Sequence, residues 1–201
     1  GSQQTDLGAW DRCFGRARAL IDRLAARGVE IGLINLGGGF PSTMTRSKAQ
    51  EPRQYAETVR AHALRHFGDL NVHMIAEPGR GLVADAGCIV SEVVLVSEKG
   101  DGDDRRWVYL DIGKFSGLAE TMDEAIRYRF ETPDNGGPEG PVVIAGPSCD
   151  SADVMYEKNA YSLPISLQEG DRVLILATGA YTTTYSSVGF NGFPPLDAVC
   201  L

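Results

Sequence analysis

Apolar residues near the N-terminus recur at alternating steps of three and four: Leu7, Trp10, Phe14, Ala17, Ile21 and Leu24. On a helix this spacing draws one apolar stripe, so the pattern predicts an amphipathic helix from Leu7 to about Arg27. Asp6 can accept hydrogen bonds from the free amides at its start, and Gly28 can take the left-handed conformation at its end. The run Val29 to Leu36 is short and largely apolar, the pattern of a buried strand, and it stops at three glycines and Phe40-Pro41. Pro52 suits a first helical position, and Tyr55, Val59, Ala63 and Phe67 continue at helical spacing to Gly68. A second buried strand, Val72 to Ala76, runs into Glu77-Pro78-Gly79-Arg80, with a short helix expected from Leu82. Helix, strand, helix, strand, helix is the rhythm of a parallel α/β layer.

Beyond Cys88 the pattern changes to strands: Ile89 to Val96, Trp107 to Leu110, Val142 to Ala145, Arg172 to Ala177 and Tyr181 to Val188. The acidic or Gly/Pro-rich stretches Lys99 to Arg105 and Glu131 to Gly140 read as surface loops, so residues 89–201 are expected to form an antiparallel β-domain. The fold class expected is therefore α/β plus all-β, divided into residues 1–88 and 89–201.

Composition adds exclusions. The 201 residues are 43% hydrophobic and 23% charged, which sets aside collagen-like, disordered and low-complexity chains. Nineteen basic against 27 acidic residues leave a net charge of -8, which repels phosphate backbones and anionic headgroups. No nucleic-acid partner is expected, and no membrane partner, since no apolar run approaches the roughly 20 residues that span a bilayer. The opening GSQQTDLGAW lacks the charged start and apolar stretch of a signal peptide, and a cytoplasmic protein is expected. The four cysteines, Cys13, Cys88, Cys149 and Cys200, are too scattered for zinc or a disulfide framework and read as free thiols.

Several local motifs have competing readings. Gly37-Gly38-Gly39 after a strand lets backbone amides approach an anion, although alone it fits a plain tight turn. The next strand ends in Glu77-Pro78-Gly79-Arg80, which places a carboxylate and a guanidinium at the same C-terminal edge of the sheet, where parallel barrels keep their active sites. Gly79 to Ala84 also fits the dinucleotide pattern G-x-G-x-x-A, but no further parallel strands follow it. His62 and His66 are four apart on a helix without the glutamate of a zinc-protease motif, which favours a solvated or capping pair. His73 reads as a hydrogen-bonded core residue, and Asp101-Gly102-Asp103-Asp104 as a hairpin tip rather than a calcium loop. No metal is expected.

In order along the chain, Gly37-Gly38-Gly39-Phe40-Pro41, Glu77-Pro78-Gly79-Arg80, Gly146-Pro147-Ser148-Cys149-Asp150, Gly179-Ala180-Tyr181-Thr182 and Phe190-Asn191-Gly192-Phe193 resemble the ornithine decarboxylase branch of the barrel-fold, pyridoxal phosphate-dependent decarboxylases. The segment Asp111 to Asp123 looks like the bacterial form of the connection between the second and third motifs. The resemblance implies that residues 1–88 are the last elements of a pyridoxal phosphate-binding (β/α)8 barrel and that the antiparallel β-domain follows. It implies that Glu77 pairs with the pyridinium nitrogen, and that Gly38, Gly39, Gly79, Arg80 and Tyr181 hold the phosphate. Cys149 resembles the residue that returns a proton to the α-carbon, where a misplaced proton would end in transamination. Asp150 and Asp123 resemble the carboxylates that meet the substrate's distal ammonium, with Glu120 and Glu124 within one turn of the latter. The Cys-Asp loop would reach a partner subunit's site, so a homodimer with shared active sites is implied, with Phe190 and Asn191 at that interface.

The family's cofactor-binding lysine lies earlier in the barrel, and Lys48, Lys99, Lys114 and Lys158 match no such motif. The chain thus resembles the C-terminal part only, and a missing N-terminal half of the barrel is expected as its partner. Gly1-Ser2 fit the end of the family's His-x-Gly-Ser strand; if native, Ser2 is a cofactor-pocket residue, and if the remnant of a cleaved tag, the match is chance. The activity implied is decarboxylation of a small-molecule diamino acid, L-ornithine to putrescine first. Lysine or diaminopimelate decarboxylation and a non-catalytic regulatory homologue are the alternatives.

Overall fold

The N-terminal apolar stripe forms a helix, α1, over Gly8–Ala25, seen here in a computed structural model that describes residues 3–42, 49–100, 102–159 and 161–201. Gly8 N donates to Asp6 Oδ1 at 2.9 Å, and Gly28 leaves the helix with φ +79°. The second helix, α2, spans Pro52–Phe67 with Pro52 in its first turn. Trp10 and Phe14 of α1 are buried with Tyr55, Val59, Ala63 and Phe67 of α2, the residues singled out by their spacing. Arg18 ties the pair at its edge, donating to Asp22, Asp69 and the His66 carbonyl. These elements, with strands β1 (Leu33–Asn35) and β2 (His73–Ile75) and the short α3 (Arg80–Val83), make one of two compact units.

β1 and β2 pair in parallel, Leu33 opposite His73, and the ladder continues past both through Leu36 N to Ile75 O and Glu77 N to Gly37 O. Both strands are shorter than their apolar runs and less buried than expected. Ile34 alone of β1 is buried, while His73, Met74 and Ile75 are all exposed. Burial of a parallel strand needs cover on both faces. Within this unit, Ile34 joins the helical core, while Met74, Leu36 and Phe40 line an open apolar cavity of about 340 Å³. His73 is accordingly an exposed residue and not a core one, and α3 begins at Arg80, two residues before the expected start.

The second unit, from Ala84 onward, is a seven-stranded sheet. Its strands are β3 (Cys88–Gly100), β4 (Asp103–Leu110), β5 (Phe130–Glu131), β6 (Glu139–Ala145), β7 (Val154–Met155), β8 (Tyr161–Pro164) and β9 (Arg172–Leu176). Their order is β5-β9-β3-β4-β6-β7, with β8 also on β6. One expectation fails here: the sheet is not wholly antiparallel, because β4 and β6 run parallel, Arg106 opposite Val142. The chain leaves β4, adds β5 beside β9 at the far side of the sheet, and returns as β6, the long crossover that a parallel pair requires. The stretch Lys99 to Arg105 is also not a loop, since β3 and β4 run into it as a hairpin with Gly100 opposite Asp103. Asp101, within the proposed hairpin tip, lies outside the described residues.

Tyr181 to Val188, expected as a strand, is instead a turn containing a 3₁₀ segment at Thr183–Tyr185. Tyr181 has φ +58°, and Thr182 is buried with its hydroxyl donating to Thr178 O at 2.6 Å. Hydroxyl-to-backbone bonds of this kind compete with a strand ladder.

The sheet curls until its ends meet. Tyr156 Oη donates to Ile126 O and accepts from Tyr128 N, both at 2.9 Å, and Tyr161 Oη donates to Tyr128 O at 2.8 Å. The rings of Tyr128, Tyr156 and Tyr161 are fully buried in a core with Val93, Val108, Ile144, Met155 and Ile175. Among the described residues no helix is long and apolar enough to cross a membrane.

Candidate functional site

In the first unit the ends of β1 and β2 build one edge. Asn35, the last residue of β1, donates from Nδ2 to Glu77 Oε1 at 3.0 Å and accepts at Oδ1 from Gly37 N at 2.9 Å. One side chain thereby fixes both the glycine turn and the exposed glutamate carboxylate. A Cβ on Gly38 would fall 2.6 Å from the Glu77 carbonyl oxygen, so the two turns touch through a position only glycine can hold. Gly39 and Gly79 have φ +88° and +49°, and among the described residues the amides of Gly38, Gly39 and Gly79 reach no acceptor. Arg80, 3% exposed, opens α3 directly after Gly79. Backbone N–H groups in such turns, with a guanidinium alongside, form a donor set for an anion with several oxygens. Gly38, Gly39, Glu77, Gly79 and Arg80 thus share one unit and one edge. Ser2 lies outside the described residues.

In the second unit β6 and β7 are joined by the turn 146–153, which carries Cys149 and Asp150. Cys149 sits with φ +58° and its thiol exposed, 3.8 Å from the Pro147 carbonyl. Asp150 folds back so that Oδ1 accepts from Ala152 N at 2.8 Å, an Asx turn. The turn is closed by Asp153, which is 2% exposed. Its Oδ1 accepts from Lys114 N at 2.7 Å, and its Oδ2 accepts from Ser148 Oγ at 2.6 Å and Ser148 N at 3.2 Å. A Cβ on Gly113 would come within 2.6 Å of Oδ2, so the close approach of the 113–114 segment depends on that glycine.

Asn191, φ +49°, donates from Nδ2 to Ser148 O at 2.8 Å, and Phe190 stacks on Phe115 with centroids 4.2 Å apart. Phe190 and Asn191 therefore bond within their own chain, to the turn and to the segment beside it. Tyr181 is exposed, its ring 5.6 Å from that of Tyr185.

Asp123 has φ +52° and a 90% exposed carboxylate 3.4 Å from Lys158 Nζ. It lines a cavity of about 190 Å³ together with Lys114, Ser151, Ala152 and Lys158. Glu124, next to it, points inward. Burial pushes its carboxyl up, but bonds from the Asn159 side chain and the Asn159 and Lys158 amides, with the Arg127 charge, hold it below the usual value. Glu124 is thus committed to structure, while the Asp123 carboxylate faces solvent.

His62 and His66 both face Asp11 of α1, at 3.3 and 2.7 Å, with Arg65 at 3.4 Å. The His66 bond, with the Arg65 and histidine charges, holds the Asp11 carboxyl below its ordinary value against the effect of burial. Among the described residues no cluster of three or more His, Cys, Asp or Glu is placed to hold a metal.

Two important residues had no sequence signal. Asn35 is one polar residue in an apolar run, and Asp153 is one acid among several in an acidic chain. What distinguishes them is the partners that distant segments bring.

Comparison with known proteins matches residues 18–179 to the family described as "Pyridoxal-dependent decarboxylase, C-terminal sheet domain". A lysine/ornithine decarboxylase of Selenomonas ruminantium is 30% identical over 193 residues, covering 96% of this chain and 47% of the relative. A diaminopimelate decarboxylase of Helicobacter pylori is 28% identical over 202 residues, with 100% and 47% covered. The solved lysine/ornithine decarboxylase of Vibrio vulnificus, complexed with cadaverine, is 30% identical with a TM-score of 0.83, covering 100% of this chain and 53% of that one. The chain spans about half the length of the curated relatives it matches.

Proposed function

The chain belongs to the pyridoxal-dependent decarboxylase family through its C-terminal sheet domain, and on that premise we propose that it forms the C-terminal half of an enzyme that decarboxylates a diamino acid, L-ornithine first. One observation carries the reading. β1 and β2 end together, and there Glu77, steadied by Asn35, stands at the turn of amide donors that Arg80 follows. That donor set suits a phosphate, and the carboxylate suits a protonated ring nitrogen, so the residues present fit pyridoxal phosphate.

Pyridoxal phosphate, when bound, supplies the electron sink for the pair left behind by departing carbon dioxide. The chain's own groups hold charges and protons in place. Glu77 keeps the proton on the pyridinium nitrogen. Gly38, Gly39 and Gly79 through their amides, Arg80 through its guanidinium and Tyr181 through its hydroxyl fix the phosphate. Cys149 delivers a proton to the substrate's α-carbon, for which an exposed thiol on a fixed turn is suited. Asp150 and Asp123 receive the distal ammonium, two acids around one cation. Asp150 directly follows Cys149, at the position where the family's diaminopimelate branch usually carries Glu to meet a second amino acid head group, and this favours a substrate with a single distal ammonium and no second carboxylate. The same reading includes the earlier barrel half with the lysine, and a two-fold homodimer in which the Cys149 turn completes the partner's site.

The test is carbon dioxide release from L-ornithine, L-lysine and meso-diaminopimelate by the full-length enzyme that contains this chain, with added pyridoxal phosphate. Fastest turnover of ornithine is expected. Preference for lysine would move the substrate by one methylene, a difference of about 1 to 3 kcal/mol in a pocket. Preference for diaminopimelate would overturn the role given to Asp150, and silence on all three would favour a non-catalytic homologue.

A further inference from the structure

The carboxylate of Asp153 is nearly inaccessible, yet its three bonds all go to the two segments that frame Cys149. Lys114 N belongs to the loop after β4, and Ser148 N and Oγ belong to the residue immediately before the thiol. The backbone of Asp153 closes the same turn, its amide donating to Asp150 O at 2.9 Å and its carbonyl accepting from Gly146 N at 2.8 Å. From the other side Asn191 holds the Ser148 carbonyl. Cys149 therefore follows a residue whose amide, hydroxyl and carbonyl are all fixed, and it adopts a left-handed conformation that a non-glycine residue takes only when its surroundings impose it.

We propose that Asp153 is the positioning residue for Cys149, locking the turn through Ser148 and anchoring it to the Lys114 segment so that the thiol is presented at one place. The inference rests on the proton-donor role given to Cys149 above. A proton delivered to the α-carbon yields the amine. Delivered instead to the cofactor's carbonyl carbon, it leads, with one water, to an aldehyde and the aminated cofactor. The ratio of amine to aldehyde per turnover reports where the donor sits, and it is independent of how much of the enzyme is folded.

Asp153→Asn keeps the shape and removes the charge that gathers these donors. In the pyridoxal phosphate-loaded enzyme containing this chain, it is expected to raise the aldehyde fraction by about tenfold, toward that of Cys149→Ala. Without substrate, iodoacetamide should label Cys149 faster by about threefold in Asp153→Asn, measured by peptide mass spectrometry against Cys13, Cys88 and Cys200 as references in the same chain. Ser148→Ala, which removes one of the three bonds, should shift both readouts in the same direction and less. If Asp153→Asn does not fold, Ser148→Ala decides: unchanged product and labelling ratios would overturn the proposal. Unchanged ratios in a folded Asp153→Asn would overturn it directly, provided Cys149→Ala raises the aldehyde fraction. If Cys149→Ala itself leaves that fraction unchanged, the donor role fails, and with it the basis of the inference.

Discussion

Asp150 and Asp153 stand three residues apart in one turn and have different duties, decided by what surrounds each carboxylate. One oxygen of Asp150 is held by Ala152 N in a half-buried setting, whereas Asp153 is closed off and saturated by amide and hydroxyl donors. The same contrast separates Asp123, exposed beside Lys158, from Glu124, whose bonds to Asn159 and Lys158 brace the loop before β8. Glu124 carries a pH prediction. Its folded carboxyl lies below the usual value, so it stabilises the fold above the ordinary carboxylate range and loses that contribution as pH falls through its folded value. Glu124→Gln is expected to cost about 1–3 kcal/mol at neutral pH and to flatten the acid limb of the denaturation curve. Urea midpoints at pH 7 and pH 4 check it, and equal losses at both would count against the charge. At this scale the Cys-Asp motif was legible because residue type and order carry it. The buried partner Asp153 was not, because a carboxylate's burial depends on segments nearly forty residues away.

At the scale of elements, periodicity located α1 and α2 and named their buried faces, since the 3.6-residue repeat is a local property. Strands fared less evenly. β3, β4, β6 and β9 were placed, but β5, β7 and β8 were missed, being two to four residues long. Each pairs with a longer strand, β5 with β9 and β7 and β8 with β6, and the tyrosine hydroxyls show how the sheet's ends are held together. Tyr156→Phe would leave Ile126 O and Tyr128 N buried without their partner, a loss expected at about 1–3 kcal/mol. Thermal unfolding measures this, and an unchanged midpoint would mean the hydroxyl bonds do not secure the sheet's ends. Burial also drives the Tyr156 phenol upward from its ordinary value.

For the molecule as a whole, the two units differ in how complete they are. The unit from Ala84 onward encloses its own core of large buried side chains. The earlier unit has a two-stranded parallel sheet with exposed Leu33, Met74 and Ile75. Residues 84–201 produced alone are therefore expected to fold cooperatively, with dispersed amide resonances, while residues 1–83 alone should lack a sharp thermal transition. A molten 84–201 segment would show that its core depends on the rest of the chain.

What the sequence by itself determined was local. Helical stripes, capping residues, glycine turns and the ordered motifs that carry the family all act through neighbours a few positions apart. What only the tertiary structure decided was the parallel step between β4 and β6, the exposure of β2, and the commitment of Asn35, Glu124 and Asp153 to their partners. Each depends on contacts between distant segments, and a side chain's type does not encode which distant amide or hydroxyl the fold will bring to it.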